Sequence, residues 1–260
     1  MRILSTGMKW EDLEIAKDDA GAPEIHHTNI FRAFQCWVEE GCFEEIFAES
    51  VMRLCRNHLI DHVVIHGDGT NHSAKKGSDN IGYNGHKKIK GDKVVAMCDR
   101  NVNVIAPFIN APAIPNEAIL LKPGLEKLKS MFDKMGLSLV GTVISLDSIY
   151  NSKSNRKAIF NRKMRPNINL RQCDIKRNGR KQCFDEEIYK ERFRTIERLF
   201  AWEDKFKRVL IRFESISSHF YAFKMLAYTM INLRHFVNQQ LLAILGMMTA
   251  GTMDYSVYNQ

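Results

Sequence analysis

Three carboxylates in this chain stand where they could do chemistry together. Asp68 directly follows the β-branched run His62–Gly67 (HVVIHG), Asp147 follows the apolar run Ser138–Leu146 (SLVGTVISL), and Glu197 lies in the helix-forming stretch Arg192–Glu214. Strand ends and helices are rigid, so side chains projecting from them meet at little entropic cost. Three carboxylates in one place repel one another and need a counter-charge, which a divalent cation supplies. Magnesium takes carboxylate oxygens together with waters and substrate phosphate, and two such ions about 4 Å apart bind the attacking and leaving oxygens of an in-line displacement. Taken singly, an aspartate after a strand is more often a turn residue or a helix N-cap, and a glutamate on a basic helix more often belongs to a solvated face. The order changes that reading: strand with Asp68, hairpin, helix, strand with Asp147, helix with Glu197.

The surroundings of Glu197 are basic. Arg194, Arg198, Lys205, Lys207 and Arg208 share its stretch, and residues 151–215 carry 19 Lys and Arg against 9 Asp and Glu, a local +10 that leaves the rest at −2 out of the overall +8. Such a region attracts phosphates without regard to sequence, through counterion release. Lys205, Lys207 and Arg208 are expected to hold a nucleic-acid backbone, and His72 and Lys75, just after Asp68, to touch phosphate. Trp202 could stack on a displaced base, although core packing of its FAW segment is the commoner use of such a residue.

The elements that must position these residues can be read coarsely. Residues 1–60 are expected to be helical, with Asn29–Glu39 and Phe43–His58 separated by a break at Gly41; such a pair can form a helix-turn-helix, but most pairs only pack. Asp68-Gly69-Thr70 is expected to end the first strand in a turn, and the polar, glycine-rich Asn71–Lys90 reads as a long loop. Lys93–Asp99 and Val102–Ala111 form a hairpin around Asp99-Arg100-Asn101. Asn116–Met135 reads as a helix broken at Pro123-Gly124, and Ser138–Leu146 as a strand buried on both faces. Lys153–Arg162 is expected to be helical, Asn167–Leu170 a short strand and Gln172–Lys181 a basic loop. Glu186 to about Phe206 forms the helix of Glu197, and Ser218–Leu245 a largely buried helix. The whole reads as an α/β chain: a helical segment at 1–60, a mixed sheet flanked by helices at 61–245, and a tail at 246–260.

Other classes are disfavoured. The six cysteines (Cys36, Cys42, Cys55, Cys98, Cys173, Cys183) include no C-x-x-C pair, so free thiols in a reducing cytoplasm are expected. His58, His62 and His66 are spaced by four, but the strand-like Val63–Ile65 takes the last two off any helical face that could hold zinc. No signal-peptide pattern is read at Met1 and Leu241–Met253 is too short to span a bilayer, so a soluble intracellular protein is expected.

Four blocks carry a resemblance. GDGTNHSAKKGSDNIGYNGHKKIKGDKVVAMCDRN, then LDSIYNSKSN, then FDEEIYKERFRTIERLFAWEDKFKRVLIRFE and finally AYTMINLRHF resemble, in order, the DDE transposases of bacterial insertion sequences, in the group whose glutamate lies in a Y-x-x-R-x-x-x-E block. The resemblance covers about Met1 to Phe236. It implies a ribonuclease-H-like catalytic domain with Asp68, Asp147 and Glu197 as a metal-binding triad. It further implies two Mg2+ (or Mn2+) ions, and DNA as partner through the element ends and the target. A homo-oligomer on DNA, a place in the bacterial nucleoid, and nicking followed by strand transfer complete the expectation.

The chain departs from the block in places. One extra residue stands between Tyr189 and Glu197, so on a regular helix Arg192 lies about 140° from Glu197 at 100° per residue, where the usual spacing gives about 40°. Arg194, about 60° away, is preferred for the arginine's role; a π-bulge keeping Tyr189 and Arg192 in place is the alternative. Ile149 and Asn151 stand where relatives carry a glycine and an acidic residue. The opening ILSTGMKWEDL resembles the middle of the family's N-terminal module, so a preceding part is expected to be missing. The alternative function is then a truncated product that binds DNA or a full-length partner without transposing, and a domesticated nuclease is a weaker third.

Overall fold

The computed structural model describes residues 1–75, 77–85, 88–114, 117–170 and 183–251, the side chains of 237–251 excepted. The sheet is organised by β1 (Val64–Ala74), whose first residues Val64, Ile65 and His66 are buried. One edge of β1 pairs antiparallel with β3 (Ile89–Asp99) without interruption, from Ile65 opposite Asp99 to Ser73 opposite Gly91. The other edge is shared. β5 (Val143–Leu146) runs parallel to Val64–His66, and the two-residue β7 (Ile211–Arg212) runs parallel to Ser73 and Ala74. Between those two partners the edge of β1 is open, and Asp68 stands in that gap.

The edge of β3 is divided in the same way, between β2 (Gly82–Asn84) and β4 (Val104–Pro112), both antiparallel to it. β6 (Arg165–Ile168) lies parallel to β5. The result is a mixed, open sheet of seven strands flanked by helices.

Two expectations fail here for physical reasons. The first strand does not end in a turn at Asp68-Gly69-Thr70, because pairing with β3 carries it to Ala74. Gly67 and Gly69 serve close packing instead: a Cβ at Gly67 would lie 2.7 Å from Leu146 Cδ2, and one at Gly69 2.7 Å from the Glu117 carboxyl carbon. Accordingly, Asn71–Lys90 is not one long loop. The second failure is the break at Pro123-Gly124: α4 (Glu117–Met135) runs through both residues. A proline inside a helix costs ~3 kcal/mol, but Leu121, Leu125, Leu128, Met131 and Phe132 of α4 are all buried, each worth ~1.5–3 kcal/mol.

The remaining helices close the core. α1 (Arg2–Thr6), α2 (His27–Glu39) and α3 (Cys42–Arg56) contribute Ile3, Leu4, Phe34, Phe43, Phe47 and Val51 to the same apolar cluster as the sheet and α8 (Ser217–Gly251). The segment 1–60 thus shares its core with the sheet. Asn232 of α8 accepts from Val104 N and donates to Val104 O and Ser50 Oγ, fixing that helix to β4 and α3. α5 (Lys153–Asn161) is capped by Ser152, and α6 (Glu186–Glu203) by Asp185, whose carboxylate accepts from Ile188 N. α7 is a single turn, Lys207–Leu210. The basic segment Gln172–Lys181 and most of the tail fall outside the described residues. Among those described, no helix is long and apolar enough to cross a membrane.

Gly91 tests the β1–β3 pairing. A Cβ there would lie 1.8 Å from the His72 carbonyl oxygen, whereas one at Gly85 would meet only the Tyr83 ring, at 4.0 Å. Gly91→Ala is expected to cost about 3 kcal/mol in urea unfolding, and Gly85→Ala under 1 kcal/mol. Equal losses would show that the pairing yields.

Candidate active site

Asp68 and Asp147 come from neighbouring strands. The β1–β5 register sets His66 beside Ser145, and two residues further it sets Asp68 beside Asp147, where β5 has ended and β1 continues. Neither carboxylate serves the local turn that its position suggests. Asp147 precedes a 3-10 turn (Ser148–Tyr150) without capping it, and its Oδ1 accepts from the Tyr189 hydroxyl at 3.2 Å. Asp68 accepts from Gly69 N at 2.8 Å and from Arg192 Nη1 at 2.7 Å.

Glu197 reaches the same place from α6. The inner stripe of that helix is Arg192, Thr195, Ile196, Leu199 and Glu203, all buried, and Glu197 lies exposed on its flank. The three carboxylates line one cleft of about 730 Å³, whose other walls include Tyr83, Lys93, Ile114, Glu117 and Phe200. They share the cleft without closing on a point: among the described residues, no three His, Cys, Asp or Glu side chains are gathered as a metal set.

The arginine beside the triad is Arg192 and not Arg194. Arg192 is buried against β1 and pairs with Asp68, while Arg194 points outward. α6 is a regular helix, without a π-bulge. The 140° between Arg192 and Glu197 therefore holds, but Arg192 serves Asp68, below the helix, and not Glu197 on its flank. Burial opposes its charge, but Asp68 and Tyr189 together outweigh burial and hold the guanidinium more firmly protonated than usual.

Glu117, the first residue of α4, is a fourth carboxylate in the cleft. It packs over Gly69 and pairs with Lys93 Nζ at 3.4 Å. Behind it, the Tyr150 hydroxyl is fully buried, has no hydrogen-bond partner among the described residues and is pushed far above the usual phenol range by burial and by Glu117, Asp68 and Asp147. Sequence reasoning missed Glu117, Lys93, Tyr83 and Tyr150. An acidic residue in a helix's first turn and a tyrosine in a polar run are ordinary, so only the tertiary approach distinguishes them.

Of the residues expected to meet phosphate, Lys75, Arg194, Lys205 and Lys207 are exposed. His72 and Arg208 are not available to do so. His72 is buried, with Nε2 2.9 Å from both Glu203 Oε1 and Lys224 Nζ, in a cluster completed by bonds from Lys224 and Tyr228 to Glu203. Burial raises the Glu203 carboxyl, but Lys224 and His72 pull it well below the ordinary range. Arg208 is turned inward on α7, paired with Glu214 and donating to Met8 O. Trp202 is half-buried beneath the Arg234 guanidinium, 4.5 Å from its ring.

Comparison of the chain with models of protein families, with curated proteins and with solved structures finds no match.

His66, two residues before Asp68, is fully buried, and neither ring nitrogen has a hydrogen-bond partner among the described residues. Burial first, then Arg100 and Arg192, lower it to about 4. The ring is therefore neutral at pH 7 beside Glu191, 3.7 Å away, which already pairs with Arg100 at 2.9 Å. Because the folded value lies below the unfolded one, the unfolded chain binds more protons between about 6.5 and 4, so stability is lost as the pH falls through that window. His66→Phe is expected to remove that acid loss, about 3 kcal/mol at the limit. Parallel curves of unfolding free energy against pH for the two proteins would refute the assignment. Removing Arg192 leaves Asp68 partly buried and unpaired, so Arg192→Ala should lose about 1–3 kcal/mol. Arg194→Ala should stay within about 0.5 kcal/mol; a larger loss at Arg194 would reverse the two roles.

Proposed function

We propose that this chain is the catalytic part of an insertion-sequence DDE transposase, cleaving and joining DNA through Asp68, Asp147 and Glu197 on a ribonuclease-H-like sheet. One observation carries the reading: carboxylates from two neighbouring strands and a facing helix, separated by some 130 residues of sequence, line a single cleft. The order of elements supports it. The strand with Asp68 is followed by the β3–β4 hairpin, α4, the strand with Asp147, and, after α5 and β6, the helix with Glu197.

The donor chemistry of the cleft suits a hard divalent cation. Its acidic side chains offer only oxygen, and the orphaned Tyr150 hydroxyl lies beside three of them. Asp68, Asp147 and Glu197 would hold two Mg2+ or Mn2+ ions, which supply charge neutralisation at phosphate oxygens when bound. The protein's own contribution is positioning. Tyr189 and Arg192, one turn apart on α6, fix the two aspartates at hydrogen-bond distance before substrate arrives, so less ordering remains to be done on binding. Lys75, Lys205 and Lys207 are exposed cations on surrounding elements, suited to backbone phosphates.

With magnesium or manganese, the protein should nick DNA carrying the element ends, and Glu197→Gln should abolish nicking while leaving DNA binding within about twofold, because the amide keeps the shape and loses the charge. Nicking that survives in Glu197→Gln, with contaminating nuclease excluded, removes Glu197 from the chemistry. Neutralising Lys205 and Lys207 together should lower the slope of log affinity against log salt by about 1.8; an unchanged slope denies them phosphate contacts.

A further inference from the structure

The outer surface of α4 and α5 carries a second charged concavity that the triad does not use. It is a groove of about 640 Å³ between the two helices, lined among the described residues by the cations Lys122, Lys129, Lys157 and Arg162 against a single carboxylate, Glu126. Helical spacing builds it. Lys122, Glu126 and Lys129 fall at i, i+4 and i+7 on α4, while Ser154, Lys157 and Asn161 fall at i, i+3 and i+7 on α5, so each helix turns one polar face into the groove.

Glu126 is taken up by Arg162, and Lys129 pairs with Asp133 at 2.6 Å. Lys122 and Lys157 are exposed and form no ion pair among the described residues. Most exposed lysines are merely solvated. Here two of them converge across a concavity together with the Ser154 hydroxyl and the Asn161 amide, and the lining holds no aromatic side chain on which a base could stack. That is the chemistry of a surface for sugar and phosphate, without base readout.

We infer that this groove binds the phosphate backbone of duplex DNA as a second contact, outside the cleft. The inference rests on the DNA-handling function proposed above. Both walls begin at the cleft: α4 starts with Glu117 in its lining, and α5 follows Asp147 by one 3-10 turn. Lys129 lies twelve residues along α4 from Glu117, about 18 Å at 1.5 Å per residue, less than one helical turn of a DNA duplex.

The test uses the full chain and a duplex of random sequence, with affinity followed by fluorescence anisotropy over a range of sodium chloride concentrations. Lys122→Ala with Lys157→Ala should lower the log–log slope by about 1.8, two contacts at 0.9 each. Arg at both positions should restore it. The control pair Lys9→Ala with Lys17→Ala removes the same net charge from the exposed N-terminal segment and should leave the slope unchanged. Equal effects from the two pairs, or none from the groove pair, would overturn the groove while leaving the cleft's function standing. A wild-type chain that binds no duplex at any salt would overturn both. A groove pair that loses binding to polyglutamate but keeps its full DNA slope would assign the groove to an acidic protein, against the inference.

Discussion

The uneven pairing of β1 governs the rest of this structure. One edge is continuously bonded to β3, while the other is divided between β5 and β7, with Asp68 in the interval. A strand secured along one edge can leave the other open locally without losing its position, because Asp68, Gly69 and Thr70 in the interval line the cleft and are only partly buried. Such an opening in the middle of a sheet is a rigid place for a carboxylate. The short β5 contributes by ending early, so that Asp147 emerges beside Asp68 and not into the ladder.

The orientation of α6 depends on buried charge. Its C-terminal residue Glu203 is held by His72 of β1 and by Lys224 and Tyr228 of α8, and near its other end Arg192 pairs with Asp68. Ion pairs of this kind contribute little net stability, since desolvation offsets the attraction, but a buried charge left unpaired costs several kcal/mol. Rotating α6 by one residue would strand both ends at once. That penalty fixes which flank of the helix faces the cleft, and hence where Glu197 projects. Asp92, fully buried nearby and raised by burial, belongs to the same interior.

Periodicity made most of the elements legible in the sequence. The apolar runs before Asp68 and Asp147, the hairpin around Asp99-Arg100-Asn101 and the amphipathic helices all carry a local pattern. Glycine and proline misled where a neighbour overrode the local rule. Gly69 read as part of a turn, whereas Glu117 needs the room; Pro123 read as a break, whereas the burial of α4 outweighs it. His72 and Arg208 show the same limit for polar groups, because a basic side chain next to a candidate site looks solvent-bound until its buried carboxylate partner is known.

The sequence by itself determined the β3–β4 hairpin, the strand before Asp147 and the helix of Glu197, since these depend on spacing within a few residues; it missed β2 and β7, and it set Asp68 after a strand that runs on to Ala74. The tertiary structure alone decided that Arg192 and not Arg194 serves Asp68, that Glu117 and Lys93 enter the cleft, and that His72 and Arg208 are interior. Arg192, His72 and Arg208 depend on partners 124, 131 and 200 residues away, at distances where helical and strand periods carry no information. Which of two nearby cations is buried is settled by the carboxylate it must neutralise, and only the packing of β1, α6 and α8 brings those carboxylates within reach.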